Sequence, residues 1–285
     1  MEYPTEENVL RPTEQAALHE WRRLVEADRE QVERVRERTE GEDFYAPVAA
    51  AFSPGRRESL EWPVLQAFAK PEDTWIDIGA GGGRFAVPLA GMVRRVIAVE
   101  PSGSMRATMA AAADEAGRTN IEVVDAYWPA AGWSETADVT LAAHSTYDID
   151  DIASFLDEME RFTRRTCIAL FGCRARGAQL ADLFEAVHGE PMATLPSLRE
   201  FVALLGARGR RTEVRTAGRG DTQEPPHPAE EAYATARRLL WLAEGTEKDA
   251  RMRALIDEWY GTSEGVALPS MRPWVGVVSW EPARA

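Results

Sequence analysis

Two periodicities divide the 285-residue chain. Over residues 13–39, TEQAALHEWRRLVEADREQVERVRERT, the apolar side chains Leu18, Trp21, Leu24, Val25, Val32 and Val35 recur at spacings of three, four and seven. That stripe predicts an amphipathic helix. Pro12 and Thr13 carry its start signal and Gly41 its stop. A linking segment, EDFYAPVAAAFSP, follows, and RRESLEWPVLQAFAK predicts a second helix that ends before Pro71.

From residue 73 the rhythm changes. Short apolar runs at 74–79 (TWIDIG), 95–100 (RVIAVE), 120–126 (NIEVVDA), 137–144 (ADVTLAAH) and 166–172 (TCIALFG) predict strands. Helical patterns over GRFAVPLAGM, residues 102–117 and residues 148–162 separate them, the last with acidic residues expected in its first turn. Such alternation calls for a parallel α/β sheet covered by helices on both faces. The last third predicts helices over GAQLADLFEAVHG and LPSLREFVALLGARG, a strand at 211–218, and a helical pair at 227–261 broken near Gly245. A late strand lies within 271–282, and the two late strands are expected to pair antiparallel at the sheet edge.

Charge narrows the partners. A formal net charge of −14 argues against a broad phosphate-gripping surface, because nucleic-acid affinity rests mainly on Lys and Arg neutralising phosphates. The amino terminus is acidic and polar, unlike a secretory signal, and no apolar stretch approaches the roughly 20 residues that span a bilayer. A cytoplasmic protein is expected, with no nucleic acid and no membrane as partner. Cys167 and Cys173 stand six residues apart along a strand, about 20 Å from each other, so no local disulfide is expected. No Cys/His cluster supports a metal.

The chemistry concentrates in TWIDIGAGGGRFAVPLA. A phosphate-binding P-loop needs Gly-Lys-Ser/Thr, but Gly83 is followed by Arg84 and Phe85. A dinucleotide fingerprint needs a third glycine where Arg84 stands. What remains is D-x-G-x-G-x-G: Asp77, Gly79, Gly81 and Gly83. Glu100 closes the next strand, seventeen residues after Gly83, and Asp125 the one after that.

This set resembles the motifs of the class I, Rossmann-like S-adenosylmethionine-dependent methyltransferases, in their small-molecule, bacterial form. The resemblance covers roughly residues 73–172. It implies a three-layer αβα sandwich with a mostly parallel seven-stranded sheet and an antiparallel edge strand. Residues 1–72 would be a helical extension or lid, and 73–285 the catalytic domain with a helical insertion at 227–261. It implies that S-adenosylmethionine is bound by Asp77, Gly79, Ala80, Gly81 and Gly83, with S-adenosylhomocysteine as product. Glu100, followed by Pro101 and Ser102, would take the ribose hydroxyls, and Met105 would pack on the adenine. Asp125 would meet the adenine amino group, flanked by Ala126 and Tyr127.

The acceptor would lie above the ends of strands one and four, where LAAHSTYDIDD places His144 and Tyr147 as catalytic candidates. His144 is either a general base or a packing residue against the cofactor. Asp148, Asp150 and Asp151 are read as helix-terminal acids rather than metal ligands. Tyr45 and Phe52 are lid candidates, and Trp128, Trp133 and Trp274 pocket candidates. The insertion at 227–261 is expected to cap the same mouth. The expected activity is methyl transfer to a small-molecule acceptor, with a homodimer left open as the assembly. A non-catalytic cofactor-binding module is the alternative; an RNA or protein methyltransferase fits less well, as does a dehydrogenase.

Overall fold

The computed structural model describes residues 13–37, 43, 45–46, 48–55, 59–175, 177–218, 226–269 and 274–283. Pro12, Gly41, residues 56–58 of the second predicted helix and residues 271–273 of the last predicted strand lie outside these. Helix α1 (Glu14–Val35) starts on Thr13, whose side chain accepts the Ala16 N–H at 3.2 Å. The second predicted helix is only one turn, α2 (Trp62–Leu65), followed by a 3-10 turn at Gln66–Phe68. Pro63 is the reason. Proline lacks the N–H that a helix interior needs, so a helix can only begin around it. The same rule trims the helix after the glycine loop to α3 (Ala86–Ala90), with Pro88 in its first turn.

The strands β1 (Thr74–Ile78), β2 (Arg95–Val99), β3 (Ile121–Val124), β4 (Ala137–Ala143) and β5 (Thr163–Gly172) run parallel, in the order β3-β2-β1-β4-β5. Helices α4 (Gly103–Glu115) and α5 (Ile152–Arg161) provide two of the crossovers. Beyond β5 come α6 (Ala181–His188), α7 (Leu198–Ala207), β6 (Thr212–Gly218), α8 (Ala229–Leu239) and α9 (Glu247–Tyr260). A two-residue hairpin, β7 (Gly261–Thr262) with β8 (Gly265–Val266), precedes β9 (Trp274–Trp280). Strand β9 enters antiparallel between β5 and β6, which completes a seven-stranded sheet. The expected antiparallel pairing of the two late strands is present, with the reversed strand one place inside the edge.

Strand side chains alternate between two cores. Ile76, Ile78, Ile97, Cys167 and Phe171 face α1, α5 and α7. Trp75, Val96, Val139, Ile168 and Leu170 face α2, α3 and α4. Within the first core Trp21 of α1 is buried, packs edge-on against Phe171, and donates its indole N–H to Ile149 O at 2.7 Å. A third cluster joins Val35, at the end of α1, to Phe184, Val187, Leu239, Met252 and Ile256 of α6, α8 and α9. Helix α1 passes Asp150, just beyond the carboxyl end of β4, through Arg29 at 3.2 Å before it reaches that cluster. The third cluster therefore stands beyond the carboxyl edge of the sheet.

Candidate active site

Parallel strands collect their following loops at one edge, and ligands of open α/β sheets bind there. The loop after β1 turns on Gly79 and Gly81, both with positive φ, +70° and +57°. A side chain on Gly79 would place its Cβ 2.5 Å from Ser145 Cβ, while Ser145 donates to Ile78 O at 2.8 Å. Gly83 likewise leaves no room against Met109 and Val87. These two glycines are required by packing. Gly81 differs: a Cβ there would meet only Met105 Sδ, at 3.9 Å, so its face is open. Ala80 is buried, its N–H on Val99 O at 3.2 Å.

Glu100 is buried at the end of β2. One carboxylate oxygen accepts the Gly81 N–H and the other the Ser102 N–H, each at 2.8 Å. Each oxygen keeps a lone pair for a further donor, which suits a vicinal diol. Burial raises its pKa, against the pull of the Ser102 and Gly81 amides and the Arg106 guanidinium. Asp77 is more deeply enclosed, 1% exposed, and neither of its oxygens has a hydrogen-bond partner. Burial first, then the charge of Glu100, pushes its pKa up to about 7. An orphaned buried carboxylate is costly, so it suits a cationic ligand group beside it. The open face at Gly81, the spare lone pairs of Glu100 and the orphaned Asp77 together fit a cationic nucleoside cofactor.

The third acid is placed differently. Asp125 is exposed and paired to Arg106 at 2.7 Å; the same guanidinium holds Glu100 O and Pro101 O. Ala126 packs against the core and Tyr127 is 81% exposed. Met105, by contrast, is buried beside Gly81, and its N–H bonds to Ser102 Oγ at 3.2 Å.

A segment before the sheet closes over this loop. Phe52 ends a 3-10 turn (Ala49–Phe52) whose backbone lies 2.9 Å from where a Cβ on Gly82 would stand. Tyr45 meets Phe52 edge-on at 6.1 Å. Asp43 accepts from Ser102 Oγ at 3.0 Å and from the Ser104 N–H at 2.9 Å, at the start of α4. The Ser104 amide above all lowers the Asp43 pKa, to about 2. Asp43 carries no motif, so spacing did not reveal it.

Further along the same edge, His144 follows β4 with φ 58°. Its Nδ1 lies 2.9 Å from the Tyr147 hydroxyl, which accepts the Gly172 N–H at 2.8 Å and so bridges the ends of β4 and β5. His144 Nε2 lies 3.6 Å from Glu61 Oε1, and Arg84 Nη2 bonds the same oxygen at 2.9 Å. Glu61 is buried; burial raises its pKa, yet His144 and Arg84 outweigh that and leave it below the usual range. Glu61 was read only as part of a helix pattern.

Other candidates move. Trp128 is core, bonded through its indole to Phe155 O at 3.3 Å, and lies 5.2 Å from the half-buried Trp133. Trp274 is exposed at the start of β9, its carbonyl accepting the Cys173 N–H. The acidic residues precede α5 rather than forming its first turn: Asp151 is the cap, accepting the Ser154 N–H, and Asp150 pairs with Arg29. Among the described residues no group of His, Cys, Asp and Glu is placed to hold a metal ion, and no helix is long and apolar enough to cross a membrane. Both cysteines are free, and burial pushes the Cys167 thiol up to about 12.

A sheet of this order, with a glycine turn after its first strand and a buried acid after its second, defines a Rossmann-like fold built for a nucleoside cofactor. Residues 76–171 match the family model described as "Methyltransferase domain". That segment, about a third of the chain, is similar to the methyltransferase domains of that family. Solved structures share the fold. YcgJ of Bacillus subtilis is 13% identical with a TM-score of 0.55, over 79% of this chain and 98% of that one. BH2331 of Bacillus halodurans C-125 is 13% identical with a TM-score of 0.54, over 79% and 99%. YjhP of E. coli is 15% identical with a TM-score of 0.51, over 84% and 100%. No curated protein matches the chain in sequence.

Proposed function

We propose that the chain methylates a small-molecule acceptor at the carboxyl edge of β1 and β4. The carrying observation is Glu100, fixed by the Gly81 and Ser102 amides with one lone pair free on each oxygen. Glu100 binds the ribose hydroxyls, Asp77 balances the cofactor's positive charge, and Met105 and the open face of Gly81 line its adenosine. When bound, S-adenosylmethionine supplies an electrophilic methyl group. The chain's own contribution is to align the acceptor with it and to exclude water, since in-line transfer depends chiefly on positioning. His144 and Tyr147 hold the proton-accepting position. Residues 43–52 close over the glycine turn, and the α6–α8–α9 cluster beyond the sheet edge bounds the acceptor's entrance.

Asp125 serves this reading less directly, since its carboxylate is already paired with Arg106. Its role toward the adenine amino group requires that pair to open or to be shared.

Isothermal calorimetry with S-adenosylhomocysteine and with NAD tests the cofactor, and S-adenosylhomocysteine release on a panel of hydroxyl, amine and thiol acceptors tests the reaction. Tight NAD binding without S-adenosylhomocysteine binding would overturn the proposal. Binding without turnover on every acceptor would replace it by a non-catalytic cofactor-binding module.

A further inference from the structure

The outer strands of the sheet are β3 and β6; among the described residues each has one neighbouring strand, β2 and β9. An outer strand leaves half of its backbone N–H and C=O groups without a strand partner, which makes it a template for another chain. Glu213, Val214, Arg215 and Thr216 of β6 are all exposed, while the residues opposite them in β9, Ser279 to Gly276, are buried. The layers that cover β9 therefore leave this stretch of β6 open on both faces. Antiparallel pairing with a second copy about a twofold axis sets side chains of the same face opposite each other, so the axis passes a residue. Centred on Glu213 or Arg215, that axis would set a charge against its own twin, which is destabilising. Only an axis at Val214 sets a cation opposite an anion within the strand. Glu213 then faces the second copy's Arg215, Arg215 its Glu213, and Thr212 its Thr216. The 40% exposed Val214 meets its own twin. Glu213 and Arg215 already share one face, 2.8 Å apart, with Arg215 over the Phe68 ring at 5.3 Å. Strand β3 has no such symmetry: its one charge, Glu122, would face itself or an uncharged residue about any centre in the strand.

We infer that β6 is a homodimer contact: it pairs antiparallel with β6 of a second copy about a twofold axis at Val214, joining two seven-stranded sheets into one. The backbone ladder and the Val214 pair hold the copies together. The two Glu–Arg crosses fix the register, since exposed ion pairs add little strength but like charges opposite each other are penalised. Strand β6 runs parallel to β5, both being antiparallel to β9, so the twofold turns the carboxyl edges of the two sheets to opposite sides. Each candidate site keeps its own opening, and the inference is independent of the methyl-transfer reading.

The test is analytical ultracentrifugation of the full chain at low ionic strength, from low micromolar to near-millimolar concentration. Wild type should show a monomer–dimer equilibrium. E213R and R215E, each at an exposed position, should each weaken it by about tenfold or more, because each sets like charges opposite each other at both crosses. The double variant E213R/R215E should restore the dimer. An equimolar mixture of the two single variants should form a heterodimer, since one strand then carries two cations and the other two anions. A wild type that stays monomeric over the whole range overturns the inference, and Glu213 and Arg215 are then charges that keep the edge from pairing. A dimer equally strong in wild type and in both single variants also overturns it and puts the contact on another surface. Single variants that weaken the dimer, with no recovery in the double variant or the mixture, overturn the register centred on Val214.

Discussion

The two halves of the sheet's carboxyl edge are built by different means. After β1 and β2, a side-chain carboxylate is fastened to backbone amides: Glu100 holds Gly81 and Ser102, and Asp43 holds Ser104. After β4 and β5, side chains meet one another: Arg84, Glu61, His144 and Tyr147, and the Tyr147 hydroxyl also takes the Gly172 amide. The first arrangement fixes a shape that one cofactor needs. The second is a set of side chains brought together from separate elements.

The sharpest way to probe the backbone-built half is the acid that its amides do not satisfy. The folded-state pKa of Asp77 is raised above its unfolded value, so the native chain holds a proton between about pH 4 and 7 that the unfolded chain has released. The stability tied to this group is therefore greatest at low pH and falls as pH rises to about 7. Asp77→Asn should stabilise the cofactor-free protein by up to about 4 kcal/mol at pH 8 and by little at pH 4, while weakening cofactor binding. Thermal unfolding at the two pH values measures this; an equal gain at both would mean that Asp77 is not a strained buried carboxyl.

Next comes Gly79→Ala, which combines a left-handed backbone with a 2.5 Å clash on Ser145. A cost of about 3 kcal/mol is expected, read as a melting temperature lower by about 5–10 °C. A variant as stable as wild type would show that the turn relaxes freely, against a backbone-built cradle. Glu100→Ala should weaken S-adenosylhomocysteine binding by about 1–3 kcal/mol, whereas the exposed, ion-paired Asp125→Ala should lose under about 1 kcal/mol. Reversed magnitudes in calorimetry would exchange the two acids' roles. On the other half, Tyr147→Phe takes one partner each from His144 and the Gly172 N–H, and should lower stability by about 1–2 kcal/mol. S-adenosylhomocysteine affinity should stay within about twofold; a large loss there would show that the two halves are one site energetically.

The contrast also explains what could be read from the chain. Asp77, Gly79, Gly81, Gly83 and Glu100 lie within 24 residues and follow strand ends in order, so spacing alone places them together. Glu61 and His144 are 83 residues apart, and nothing local links them until β1 and β4 pair. Asp43 was hidden for the same reason, its partners lying at Ser102 and Ser104. Strand positions were legible because buried parallel strands are continuous apolar runs. The helices at Pro63 and Pro88 were drawn too long because apolar periodicity outvoted the missing N–H. Tyr127 and Trp128 show a further limit: adjacent aromatics on a loop go one to solvent and one to the core, and composition cannot order them.

One feature of the sheet bears on how the molecule is made. Strand β6 has β9 as its sheet neighbour, and between them lie α8, α9 and the small hairpin. Strands β1 to β5 can pair as soon as residues 74–172 exist, in an order that never waits on a later segment. Strand β6 must wait: it is synthesised some fifty-five residues before its partner and joins the sheet only across it. Strand β9 also pairs with β5, Ala169 opposite Val278, the most distant strand pairing in the sheet and so the one with the largest loop-closure cost. Until β9 is made, β5 lacks its neighbour on that side.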